Sequence, residues 1–81
     1  MSERHERLGY RAELLPKQQR LRVECEALRE RLRIALPTHV GVEELNAENI
    51  LATAIALTGS LGELAGLNRQ ISSLEEQLGL K

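Results

Sequence analysis

The sequence predicts an all-α fold: a long antiparallel helical hairpin, similar to a coiled coil, that pairs with a second hairpin into a four-helix bundle. Three observations predict it. Among 81 residues the chain has one Tyr, no Phe and no Trp, which leaves little material for a β-sandwich or barrel. Leucines recur at heptad spacing in both halves of the chain. A proline and a glycine interrupt the pattern near its middle.

Heptad spacing predicts the first helix over residues 3–36. Side chains that are apolar or small, apart from Gln18, recur there at alternating steps of four and three, which places them on one face of a helix. Pro16 cannot donate a backbone hydrogen bond, so this helix either kinks there or follows a separate short helix over residues 3–14. We therefore expect one amphipathic arm with an irregularity at Pro16.

A break between the two arms is predicted at residues 37–45. Pro37 disfavours helical geometry at Leu36, and Gly41 permits a turn. Asn46 is a good N-cap for a second helix that starts next to it. A connection of this length lets two helices fold back antiparallel, so the whole chain, residues 1–81, reads as one helical-hairpin domain.

The second arm is predicted over residues 46–78 by another seven-residue repeat. Gly59, Gly62 and Gly66 share one face of it. They either allow a partner helix to approach closely or weaken and bend the helix near 59–62. Ser60 and Glu63 have the spacing of a capping box that restarts a helix after Gly59. We expect this arm to deviate from straightness at the level of Pro16.

The core-facing stripes of the two arms define the predicted interaction seam. Its members are apolar or small and share one face of each helix. They are Leu14, Leu21, Cys25, Leu28 and Leu32 in the first arm and Ile50, Leu57, Leu61, Leu64, Ile71 and Leu74 in the second.

Charge is divided unequally between the two arms. Residues 1–36 carry nine Lys or Arg against six Glu, and residues 37–81 carry two against six. Oppositely charged arms attract when they lie side by side, although each exposed pair contributes only about 0.2–1 kcal/mol. The asymmetry favours an antiparallel hairpin.

Catalytic and metal-binding chemistry is poorly represented in the sequence. His5, Cys25 and His39 occur singly, with no C-x-x-C or H-E-x-x-H spacing, and no glycine-rich phosphate loop is present. Cys25 lies in the heptad seam, where a thiol serves as a small apolar side chain. We expect no catalytic residue, no cofactor, no metal and no small-molecule substrate, and therefore no enzyme.

Nucleic-acid binding is the alternative function. A helix fits a major groove, and arginines neutralise phosphates. Against this, glutamates interleave with the arginines at helix-pairing distances, and the pI is near 6.1. The candidate residues are Arg20, Arg22, Arg29, Arg31 and Arg33.

Association with another chain is the main functional prediction. A chain of this size buries only about 60% of its unfolded surface, and one cysteine excludes an internal disulfide. The expected partner is a second copy, giving a homodimer, or an unidentified protein that docks a helix. The longest uncharged stretch, residues 49–62, is shorter than a bilayer span, and no secretory signal is visible. We expect a cytoplasmic protein without a membrane segment.

Overall fold

The computed structural model describes residues 2–80, and over that range it consists of two long α-helices packed against each other. Helix α1 spans Glu3–Ala35 and helix α2 spans Ala47–Leu78, with a 3₁₀ turn at Val42–Glu44 between them. The hairpin measures 62 × 19 × 14 Å. The prediction of an all-α helical hairpin is confirmed, and residues 1 and 81 of the predicted domain lie outside the described range.

Local capping fixes where the helices begin and end. The Ser2 side chain accepts a hydrogen bond from the His5 backbone N–H, and Asn46 Oδ1 accepts one from the Asn49 N–H at 3.1 Å. Gly79 adopts the left-handed conformation, φ 74°, that terminates α2. Only glycine takes that conformation without a steric penalty, so the end of α2 is encoded locally.

Neither helix is interrupted at the positions where the sequence indicated an irregularity. Helix α1 continues through Pro16, so residues 3–14 do not form a separate helix. Helix α2 continues through Gly59 and Gly62, and Ser60 is buried inside it instead of capping a new start. Packing along the whole hairpin outweighs these local preferences, because tertiary contacts supply most of a helix's stability.

The apolar core lies toward the open end of the hairpin, where the start of α1 lies beside the end of α2. Leu14, Leu67 and Ile71 form a buried cluster. Leu15, Leu21 and Leu74 are partly buried and pack against it. A fully buried side chain of this kind contributes about 1.5–3 kcal/mol relative to an exposed one, so this half of the hairpin has a conventional hydrophobic core.

Polar contacts across the two helices set their antiparallel register. Arg11 donates from Nε and Nη2 to Glu75 Oε2 at 3.0 and 2.8 Å. Gln18 Nε2 donates to Asn68 Oδ1 at 2.7 Å. Arg4 Nη1 donates to the Leu78 carbonyl oxygen at 2.8 Å. All three donors are on α1, and all three acceptors are on α2.

Candidate interaction surface

The predicted seam residues occupy three environments in the hairpin. Leu14, Cys25, Leu28 and Ile71 are buried between the helices. Leu61 is exposed. The remaining six, Leu21, Leu32, Ile50, Leu57, Leu64 and Leu74, are half-buried. Burial within the hairpin alone therefore covers only part of the seam, and its role in contacts between molecules stays a prediction.

Two polar residues of α2 face α1 and were missed by the sequence analysis. Thr53 and Ser60 are buried, with 9% and 8% of their surface exposed. They lie three or four residues from Ile50, Leu57 and Leu64, so the heptad register contained the signal. A seam chosen from apolar residues alone leaves out Thr53 and Ser60.

The outer side of the same part of α2 is apolar. Leu51 and Ile55 expose 61% and 63% of their surface, and Leu61, on the flank of α2 near Cys25, exposes 49%. This half of α2 therefore buries two small polar residues and exposes two large apolar ones, while Ile50 and Leu57 stay half-buried. That departs from the usual pattern for a surface helix, whose outer side is polar.

We define the outer face of α2 as the stripe opposite to the side that contacts α1. Its residues recur at steps of four and three, with Leu51 beside them. They are Glu48, Leu51, Ala52, Ile55, Gly59, Gly62, Gly66 and Arg69. A Cβ added at Gly59 or Gly62 would meet no atom within 4 Å, so the hairpin itself requires no glycine at either position.

Helix α2 is long and apolar enough to cross a membrane by length and composition, which the sequence analysis did not anticipate. Only 11% of its most apolar window of 18 residues is buried. Most of this apolar window therefore has no protein covering in the isolated hairpin.

The five arginines of the nucleic-acid alternative are all exposed on α1. Helical geometry divides them between the two flanks of α1: Arg20 and Arg31 on one side, and Arg22, Arg29 and Arg33 on the other. No single face of the helix carries all five.

One of these arginines is engaged with a carboxylate of the same helix. Arg33 Nε donates to Glu30 Oε2 at 2.9 Å. This hydrogen bond, with the charges of Arg33 and Arg29, lowers the pKa of the Glu30 carboxyl. It also raises the pKa of the Arg33 guanidinium.

The isolated His and Cys side chains do not converge. Cys25 is a free, buried thiol beside a small apolar depression of about 130 Å³ that Leu57 and Leu61 also line. His39 is exposed in the connection between the helices. Within residues 2–80, no group of three or more His, Cys, Asp or Glu side chains is placed to hold a metal ion.

Comparison with protein-family models, with curated proteins and with solved structures finds no match to this chain.

Proposed function

We propose that this chain is a non-enzymatic protein–protein interaction module that self-associates in the cytoplasm, with the outer face of α2 buried between two hairpins. The observation that carries the proposal is that α2 exposes Leu51 and Ile55 on its outer face while it buries the polar Thr53 and Ser60. Two hairpins joined in this way place four helices side by side with the two α2 helices in the middle, a flatter arrangement than the four-helix bundle that the heptad spacing predicts. Each supplies the apolar covering that the other lacks.

The exposed area of the hairpin supports this proposal. Its accessible surface is 6096 Å². A compact monomer of this mass exposes about 4,900 Å² by the usual scaling of surface with mass. The excess is larger than the roughly 800 Å² that each partner contributes to a standard protein interface. A dimer therefore has enough uncovered area to form without unfolding either hairpin.

The chemistry of the exposed surface also favours association. Burial of apolar surface stabilises a complex by about 25 cal/mol per Å² before the costs of association are subtracted. No charge occurs from Asn49 to Gly62, so this part of α2 can be covered without burying an ionised group.

The experiment is a light-scattering measurement of molar mass over a concentration series, with the absorbance ratio checked for co-purifying nucleic acid. We expect a protein-only dimer. Ile55→Glu should give a monomer, because a dimer would bury an unpaired charge. The matched control is Val23→Glu, since Val23 is also a β-branched residue and exposes 57% of its surface, but lies on α1. It should remain dimeric.

Three outcomes would contradict the proposal. A monomeric wild-type chain at all concentrations would exclude self-association. Equal loss of the dimer in both variants would show that the outer face of α2 has no special role. Co-purifying nucleic acid that is lost when Arg22, Arg29 and Arg33 are replaced together would instead support the alternative function.

A further inference from the structure

We infer that the second copy packs with its α2 antiparallel to the first, about a two-fold axis that passes between Thr58 and Gly59. The inference rests on the proposed function and deepens it by fixing which residues meet. In such a symmetric interface, every contact from one chain to its partner occurs twice. The outer face must therefore be complementary to its own reversed copy.

Side-chain size meets this requirement. About the proposed axis, Ile55 lies opposite Gly62 of the partner subunit. Leu51 lies opposite Gly66 of the partner subunit, where Arg69 Nη2 lies 3.7 Å from the position of an added Cβ and turns toward Glu48 of the partner subunit as the chains pair. Each large apolar side chain thus faces a position without a Cβ. Glycine in a helix interior costs roughly 1 kcal/mol relative to alanine, and Gly59 and Gly62 contact nothing that would require it in the hairpin. Close approach of a second helix gives these glycines a structural role.

The charged residues of the outer face are also complementary to those of its reversed copy. Glu48 and Arg69 end the outer face and lie about 32 Å apart along α2, at 1.5 Å per residue. Both are exposed, and neither has a hydrogen bond or ion pair among the described residues 2–80. The proposed axis places Glu48 of each chain against Arg69 of the partner subunit. A parallel pairing would instead place Glu48 and Arg69 each against its own copy, with two repulsions.

A lipid bilayer is a poorer occupant for this face. Glu63 follows the uncharged stretch directly, and Arg69 comes within two helical turns of it. Insertion would also separate α2 from α1, breaking the Leu14–Leu67–Ile71 cluster and the Arg11–Glu75 ion pair. Pairing with a second copy keeps both intact.

The test is disulfide cross-linking in a Cys25→Ala background, with helicity checked by circular dichroism. Gly59→Cys adds a thiol next to the axis, where two Cα atoms can reach the 4.4–6.8 Å that a disulfide requires. We expect mild oxidation to double the apparent mass of the Gly59→Cys variant on a non-reducing gel. Ala52→Cys is the matched control on the same face. Antiparallel pairing holds its two copies about 20 Å apart, so it should stay monomeric on the gel.

The result for each position distinguishes the arrangements. Cross-linking at both positions would indicate parallel pairing and overturn the inference. Cross-linking at neither, in a protein that light scattering shows to be a dimer, would also overturn it while leaving the proposed self-association intact. A monomer that binds vesicles of phosphatidylcholine through α2 would overturn both.

A charge exchange checks the same arrangement without cysteines. Glu48→Arg and Arg69→Glu should each raise the dimer dissociation constant by about tenfold, because two charge pairs change from attraction to repulsion. The double variant should restore the wild-type value. Absence of rescue would contradict the pairing of Glu48 with Arg69 of the partner subunit.

Discussion

The two halves of α2 use their residues in opposite ways. Toward the open end of the hairpin, Leu67 and Ile71 are buried against α1, whereas Arg69 and Gln70 are exposed. Toward the connection, Ser60 is buried and Ile55 is exposed. The half near the open end follows the usual pattern of a surface helix, apolar inside and polar outside. The half near the connection departs from that pattern.

The difference indicates that only the half near the open end covers its own large apolar side chains. A buried cluster and an ion pair between the helices stabilise the open end. Near the connection, Leu51 and Ile55 of α2 face away from α1, so they contribute little to the stability of the hairpin until something covers them. On our proposal, the contacts at the open end stabilise the hairpin, and the outer face of α2 from Glu48 to Arg69 joins two hairpins.

Truncating one isoleucine in each half of α2 should produce the largest contrast. Ile71→Ala removes a buried side chain and should lower the free energy of unfolding by about 2–5 kcal/mol. Ile55→Ala removes an exposed one and should leave the isolated hairpin as stable as before, while weakening association. Urea denaturation at low protein concentration measures the first effect, and light scattering measures the second. Equal destabilisation by the two variants under dilute conditions would contradict the contrast.

Removal of the ion pair at the open end should have an intermediate effect. Side chains Arg11 and Glu75 are 29% and 19% exposed, and two hydrogen bonds join them. Arg11→Ala should cost about 1 kcal/mol of unfolding free energy, above the median for surface pairs because both groups are half-buried. A double-mutant cycle with Glu75→Ala isolates the pair. A coupling energy of zero would show that the Arg11–Glu75 ion pair does not stabilise the hairpin.

The smallest effect is expected at the exposed pair on α1. Replacement of Arg33 by Gln should raise the pKa of the Glu30 carboxyl toward its ordinary value of 4.5, because the main cause of its lowering is lost. The stabilisation from this pair is present above the unfolded-state pKa and disappears as the pH falls through the lowered folded-state pKa. NMR titration of Glu30 measures the shift. The urea midpoint should not change measurably, and a large change would contradict the solvent-exposed position of the pair.

Much of the fold could be predicted because its signals are local. Pro37 and Asn46 mark the ends of the connection through backbone geometry that depends on neighbouring residues alone. Three members of the heptad frame of the first arm, Leu14, Cys25 and Leu28, are buried within the hairpin.

The side of α2 that faces α1 could not be predicted, because it depends on packing between the helices and not on neighbouring residues in the sequence. From Ile50 to Gly62 the residues on every side of α2 are apolar or small, so periodicity there cannot identify the side that faces α1. As a result the predicted seam includes Leu61, which is exposed, and omits Thr53 and Ser60, which are buried. Pro16 is accommodated because Leu14 and Gln18, on either side of it, are both engaged with α2.

The most direct test of the central claim is the dependence of the urea midpoint on protein concentration. If a second copy covers the outer face of α2, unfolding is linked to dissociation, and the midpoint rises with concentration. We predict such a rise for the wild-type chain and a constant midpoint for Ile55→Glu. A wild-type midpoint that stays constant over a hundredfold range of concentration, in a chain that unfolds cooperatively, would show that the hairpin is stable alone and would contradict the account.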